Sequence, residues 1–291
     1  MTHQMFRWAA AAVVGLGIGL GSFAAAAAEE EHAGAPTHFP IHKPAYVNWS
    51  FAGIFGTYDR AQLQRGYKVY KEVCASCHSM NLVKFRNLAE EGGPGFTEEQ
   101  AKALAAEYTI IDGFDDSGEP VERPREPKDP FPAPFPNDNA ARAANGGALP
   151  PDFSLIAKAR AVERGFPWFV LDVFWPYQEQ GPDYIHALLT GYQEPPEGTV
   201  VPEGQYYNPY FIAGQSLAMA PPLSDDVVEY TDGTPQTVDQ YAKDVSAFLM
   251  WAAEPHLEAR KKLGFHALIY LVVFGALLGL AKRKVWSNEP H

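Results

Sequence analysis

The chain has 291 residues, 46% of them apolar, and a formal net charge of −12 at pH 7. That is enough apolar material for one good core or two small ones. The acidic balance speaks against nucleic acid, whose phosphates select basic surfaces, and two cysteines exclude a disulfide framework.

The first residues, MTHQMFRWAAAAVVGLGIGLGSFAAAAAEEE, place Arg7 before an Ala/Gly/Leu/Val run, and small residues lead into Glu29. The pattern predicts a secretory signal peptide over 1–28, cleaved near Ala24 to Ala28, and hence an exported bacterial body. Residues 29–57 are rich in Pro, Gly and aromatics and read as irregular packing. Asp59 is a plausible N-cap, and Leu63, Tyr67 and Tyr70 recur at helical spacing up to Val73. A short helix is expected over 98–108. From Asp112 to Asp138 the chain carries seven prolines, eight acidic and three basic residues. The prolines argue against regular helix or sheet there, so an acidic surface loop is expected.

LPPDFSLIAKARAV and WFVLDVF offer two further short helices. PDYIHALLTGY opens with a proline and closes at Gly191, a helix stop. A Pro/Gly/Tyr-rich loop follows from Gln193 to Leu223. Thr237 and Gln240 have the spacing of a capping box. Tyr241, Val245, Phe248 and Ala252 mark one face of a helix that ends at Pro255. No run of alternating strand residues stands out, so the expected body is α-rich with long loops. Such loops need something to pack against, and a large apolar cofactor would serve.

Leu263 to Ala281 is an apolar stretch of about the 20 residues needed to cross a bilayer. Arg260, Lys261 and Lys262 precede it, and Lys282, Arg283 and Lys284 follow it, so basic flanks alone do not orient it. The signal peptide does. It predicts an exported domain over 29–262, a single span over 263–281 and a cytoplasmic tail over 282–291.

Both cysteines lie in VCASCHSM. A thioredoxin-like pair would want a βαβ setting, and a structural zinc site a second pair of ligands. Cys74-x-x-Cys77-His78 fits c-type haem attachment instead. Two thiols two residues apart can each add to one haem vinyl group, and the next residue then lies under the iron as a proximal imidazole. The sixth position could be filled by Met80, Met219, Met250 or another histidine. Met219 lies in GQSLAMAPPLSDD, where Pro221 and Pro222 stiffen a loop, and is favoured; His186 is the rival. Met/His ligation raises the reduction potential. It also closes the iron to substrates, which favours electron transfer over oxygen chemistry.

Further stretches carry a family likeness: RGYKVYKEVCASCHSM, ARAANGGALPPDFSLI, LLTGY, YYNPYFIAGQSLAMAPPL, DGTPQTVDQYAKDVSAFLMWAAEP and the anchor ending KRKVWS. In this order they resemble bacterial members of the cytochrome c1 family, the haem subunit of the cytochrome bc1 complex (ubiquinol–cytochrome c reductase). The resemblance implies a mainly α, class I cytochrome c-like haem domain with long loops and one C-terminal transmembrane helix. It implies one covalent haem c bonded to Cys74 and Cys77, with His78 and Met219 as axial iron ligands. By position, Arg160 resembles an arginine beside a haem propionate, and Asn145, Pro151, Tyr184 and Phe211 resemble residues lining the pocket.

The implied function is relay of single electrons from a Rieske iron–sulfur protein to a soluble or membrane-tethered cytochrome c. The chain would sit beside cytochrome b in a dimeric multi-subunit complex, anchored in the inner membrane lipid with its haem domain in the periplasm. Quinol chemistry belongs to the other subunits. A free-standing anchored shuttle cytochrome, or a haem enzyme or sensor, are the alternative readings. Two departures stand out. The segment 162–182 is longer than its mitochondrial counterpart, and the cysteines for an extra disulfide present in some bacterial relatives are lacking.

Overall fold

Asp59 accepts the amide of Gln62 and opens helix α1, Arg60–Glu72, as its N-cap position predicts. The computed structural model describes residues 42–160 and 180–287. The expected signal segment, residues 29–41, the WFVLDVF helix and the long segment as far as residue 179 lie outside the described residues.

From α1 the side chains of Leu63, Tyr67, Val69 and Tyr70 enter the core. They meet α6, Val238–Ala253, whose Tyr241, Val245, Phe248 and Trp251 are equally buried. Tyr67 and Tyr70 both pack on the ring of Phe248, each 5.8 Å away. Burying a large apolar side chain contributes roughly 1.5–3 kcal/mol, so this crossing is the main apolar seam of the domain. Gly66 permits the close approach: a Cβ there would lie 2.1 Å from the carbonyl oxygen of Asp244 and 2.7 Å from the Cβ of Phe248.

A polar clasp lies beside the seam. Asp244, fully buried, accepts from the Arg65 guanidinium at 2.8 Å, the Tyr230 hydroxyl at 2.9 Å and Gln240 at 2.9 Å. Gln240 therefore does not complete the expected capping box. Thr237 caps α6 by accepting the Gln240 amide, but the Gln240 side chain turns to Asp244. The Gln240 Nε2 donates to Asp244, and the side chain held there does not bring its oxygen back to the Thr237 amide.

Helix α2, Glu98–Ala106, starts at a reciprocal Thr97–Gln100 capping box. The acidic segment that follows is not the irregular loop the sequence predicts. β1, Thr109–Phe114, pairs antiparallel with β2, Pro120–Pro124, with a register irregularity between Ile111 and Phe114. Pro120 and Pro124 stand at the two ends of β2, where a missing N–H costs the ladder little. The alternation that marks a half-buried strand is absent, because almost every residue of both strands is exposed. Arg123 grips Asp129 through two contacts, at 2.7 and 3.2 Å, and ties the hairpin to the proline-rich stretch beyond it.

Helices α3, Asp138–Ala144, and α4, Ile156–Ala159, are short, and α5 covers Gln180–Thr190. The loop after α5 holds a two-residue ladder, β3 Tyr206–Tyr207 with β4 Ser216–Leu217. The last helix, α7, runs Leu257–Trp286 and contains the predicted apolar span. At about 1.5 Å per residue it is long enough to cross a bilayer, and its apolar side chains from Leu263 onward are exposed along its length. Its first turn is clamped to the domain: Glu258 accepts from the Tyr58 amide and takes two contacts from Arg60, at 2.9 and 2.8 Å.

Candidate functional site

The C-x-x-C-H segment begins where α1 ends. Val73 closes the helix, and Cys74–Ser76 form a single 3-10 turn. The amides of Cys77 and His78 both bond to the Cys74 carbonyl, at 3.1 and 2.9 Å. The backbone thus folds the motif into one compact turn. Cys74 and Cys77 are half-buried and not disulfide-bonded to each other. Burial, with the neighbouring Cys77, pushes the Cys74 thiol up to about 12. A dithiol redox catalyst works the other way, with a depressed thiol pKa.

His78 is buried. Its Nδ1–H donates to the carbonyl of Pro151 at 2.8 Å, and its ring stacks on Phe153 with centroids 3.9 Å apart. Burial lowers its pKa, against the opposing pull of Pro151 and Asp152. The imidazole is therefore neutral at neutral pH, with its lone pair on Nε2. That is the tautomer a metal-ligating histidine needs, oriented by a carbonyl behind it.

Asp152 fixes that carbonyl's position. It accepts from the Ser79 hydroxyl, the Asn81 amide and the Ser154 amide, at 2.8, 2.9 and 2.8 Å. The Phe153 amide bonds to the Ser79 carbonyl at 2.8 Å, so residues 151–154 and 78–82 lie zipped together. Two cysteines free of a disulfide, with two residues between them in one turn, and an oriented, neutral imidazole fit a covalently bound haem.

A second group of residues forms around the loop that follows α5. Met219 is half-buried, two residues beyond β4, and its carbonyl accepts from the Tyr192 hydroxyl at 3.0 Å. Asn208, fully buried, holds the loop to α5 by donating to the Leu188 carbonyl at 2.8 Å, and its amide bonds to Gln215. Phe211 sits inside the turn that Asn208 organises, with its amide on the Asn208 carbonyl. Tyr184 is buried on α5; burial raises its pKa, offset by a hydrogen bond from the Ile212 backbone and by the charge of Arg160. Arg160, Tyr184, Phe211 and Met219 are thus linked through α5 and this loop.

The remaining sequence candidates divide. Asn145 ends α3, and its side chain donates to the Ala141 carbonyl at 2.7 Å. Met80 and Met250 are fully buried in the apolar core. His186 places Nε2 3.0 Å from Asp239 of α6, which commits that nitrogen at the surface. Sequence reasoning missed Phe153, Asp152, Tyr192 and Asn208. Asp152, two residues before Ser154, and Asn208, two before Tyr210, left a local signal, that of an Asx-type turn.

Fold and site together define the class: a helical c-type haem protein with one apolar C-terminal helix. The Cytochrome C1 family model matches residues 49–289. The chain belongs to the cytochrome c1 family. It is 58% identical over 248 residues to the cytochrome b/c1 of Bradyrhizobium diazoefficiens, a match covering 85% of this chain and 36% of that longer protein. It is 48% identical to the cytochrome c1 of Blastochloris viridis, over 84% of this chain and 86% of that one. It is 45% identical to the cytochrome c1 of Rhodospirillum rubrum, over 84% and 88%. Membership agrees with the expected mainly α fold, the haem and the membrane anchor.

Proposed function

We propose that the chain is the haem subunit of a bacterial cytochrome bc1 complex, relaying single electrons from a Rieske iron–sulfur protein to a cytochrome c. The observation that carries the reading is the Pro151-oriented imidazole of His78 at the end of a C-x-x-C-H turn, in a chain of the cytochrome c1 family. The bound haem supplies a one-electron iron couple. The residues of this chain would hold it: Cys74 and Cys77 would bind its two vinyl groups as thioethers, each S–H supplying both the sulfur and the hydrogen of the addition. His78 would offer Nε2 to the iron, and Met219 would offer its thioether. Arg160 neutralises a propionate, and Asn145, Pro151, Tyr184 and Phe211 line the pocket.

The haem domain, residues 29–262, stands in the periplasm, with α7 in the inner membrane next to cytochrome b and the tail in the cytoplasm. The chain makes and breaks no quinol bonds; that work belongs to the rest of a dimeric assembly. The relative from Bradyrhizobium bears the name cytochrome b/c1, which supports a place beside cytochrome b.

Purification in mild detergent through a C-terminal tag tests the assembly. Co-purification of a b-type cytochrome and an iron–sulfur protein is expected; recovery of the chain alone would favour a free-standing shuttle. Met219→Leu tests the ligand. It removes the sulfur at similar volume, and should lower the potential and let the reduced protein bind carbon monoxide. An unchanged potential with no carbon monoxide binding would send the search to His186.

A further inference from the structure

The segment just before α1 is built as a rigid loop with an apolar tip. At its base Trp49 stacks on Phe51 at 5.4 Å, Phe51 packs on Tyr58 at 5.2 Å, and all three are buried. Trp49 also donates its indole N–H to Asp183 at 2.8 Å. The Ala52 amide bonds to the Trp49 carbonyl and the Thr57 amide to the Ser50 carbonyl, both at 3.1 Å. Gly53 has φ 70°, and a Cβ on Gly56 would meet the Ala52 carbonyl oxygen at 2.0 Å. The turn is therefore closed by glycines, and what it presents at its tip are Ile54, 66% exposed, and Phe55, 72% exposed.

This tip does not point into open space at an arbitrary height. Phe55 packs edge-on against Phe265 of α7 at 5.4 Å. Lys261, one helical turn earlier on the same face, donates its ammonium to the carbonyls of Phe51 and Gly56. The apolar run of α7 begins at Leu263, so Phe55 meets the helix about 3 Å beyond that start, at 1.5 Å rise per residue. The clamp of Glu258 to Arg60 and Tyr58 locks the height of the loop relative to the span. Lys262 is exposed at the foot of the apolar run, while Arg260 pairs with Glu254 and Lys261 with the loop carbonyls. An apolar pair beside an exposed lysine, at the mouth of a membrane span, is the pattern of an interfacial membrane contact.

We propose that the Ala52–Gly56 tip inserts Ile54 and Phe55 into the interfacial zone of the bilayer beside α7, so that a loop as well as a span holds the chain in the membrane. The inference rests on α7 being a membrane span. The occupant is phospholipid because the tip continues the lipid-facing surface of α7 at the depth where acyl chains begin. The test uses the full chain in its native membrane, with Ile54→p-benzoylphenylalanine and Phe55→p-benzoylphenylalanine made separately, so that one position serves if the other disturbs the loop. After irradiation, intact-mass measurement should show a gain of one phospholipid mass at either position. Val200→p-benzoylphenylalanine, at a side chain 90% exposed elsewhere on the domain, should show none. A cross-link to another polypeptide, or the same lack of adduct as at Val200, overturns the inference. Alkaline carbonate extraction of the wild-type chain separates the two readings. Release from the membrane would sink the span and the loop contact together; retention without lipid adducts would sink only the loop contact.

Discussion

His78 donates its Nδ1–H to the carbonyl of Pro151 across 2.8 Å, and the next residue, Asp152, fastens that carbonyl's loop to Ser79 and Asn81. The imidazole proposed as an iron ligand is thus oriented by a backbone atom that a side chain one residue away keeps in place. Polarising a ligand histidine from behind raises its basicity and favours the more positive state of the metal.

Asp152→Ala should therefore loosen the carbonyl, weaken donation from His78 and raise the haem potential. It should also remove the acceptor of the Ser79 and Asn81 donors, a loss of about 0.5–1.5 kcal/mol for an ordinary hydrogen bond. Redox titration and guanidinium unfolding separate the two effects. A lower stability with an unmoved potential would make Asp152 a purely structural residue.

The α1–α6 seam offers a sharper stability test. Asp244 is the buried partner of Arg65, Tyr230 and Gln240. Asp244→Ala leaves Arg65 with only the more exposed Asp232 at 2.9 Å, so the loss should approach, from below, the ~3–5 kcal/mol of breaking a buried pair. Gly66→Val attacks the same seam by overpacking, where typical losses are about 1–3 kcal/mol. Both should lower the denaturant midpoint of the haem domain. A shift below about 1 kcal/mol for Asp244→Ala, the range of an exposed ion pair, would mean the clasp contributes no more than a surface bridge.

The Met219 loop should respond to changes that never touch its sulfur. Tyr192→Phe removes the hydroxyl that holds the Met219 carbonyl, and Asn208→Ala frees the loop from α5. Each should increase carbon monoxide binding by the reduced protein, Asn208→Ala more strongly, because it removes an anchor to Leu188 and a turn-forming acceptor of the Tyr210 amide. Wild-type behaviour in both variants would show that Pro221 and Pro222 alone hold the loop.

The longer helices were legible because their cues are local, whereas the short helix Asp138–Ala144 was missed. Asp59 caps α1, Thr237 caps α6, and each presents an apolar face at helical spacing. The hairpin at Thr109–Pro124 was not legible. Both of its faces meet solvent, so no alternation could mark it, and prolines hide at its strand ends. The covalent-attachment motif was readable from three residues in five. Its supports were not: Phe153 and Asp152 lie more than seventy positions away, and Asn208 reaches Leu188 across twenty. Such partners are chosen by the fold, and no local periodicity records them.

Acid should loosen the hairpin before the core. The Arg123 guanidinium, against a smaller opposing effect of burial, holds the Asp129 carboxyl down to about 2 from an ordinary 3.8. A carboxylate depressed on folding stabilises the fold above its unfolded pKa, and that stability drains away as pH falls through the folded value. Pepsin cleavage within residues 109–130 should therefore rise between about pH 4 and 2, after correction for the enzyme's own pH profile. Asp129→Asn should be cleaved readily across the whole window. Equal resistance of wild type and variant would show that the Arg123 contact does not hold the hairpin down.

The tip of that hairpin is where docking charge is expected. Its cations are engaged at the base: Arg123 with Asp112 and Asp129, Lys128 with Glu126, and Arg125 with the Thr109 and Pro130 carbonyls. Asp115, Asp116 and Glu119 stand exposed at the turn. A basic cytochrome c would be drawn to this field, and salt would weaken the attraction over a Debye length of about 8 Å at physiological strength. Electron transfer to the acceptor should slow as ionic strength rises, through the association rate. Asp115 also builds the turn, since its Oδ1 accepts from Ser117 and from the Glu119 amide. The neutralising change there is Asp115→Asn, which keeps an acceptor oxygen, combined with Asp116→Asn and Glu119→Gln. The triple variant should lose most of the salt dependence while its haem potential stays put. If the salt dependence survives intact, the acceptor docks elsewhere on this acidic chain; if the wild-type rate never depended on salt, electrostatic steering is not how the partners meet.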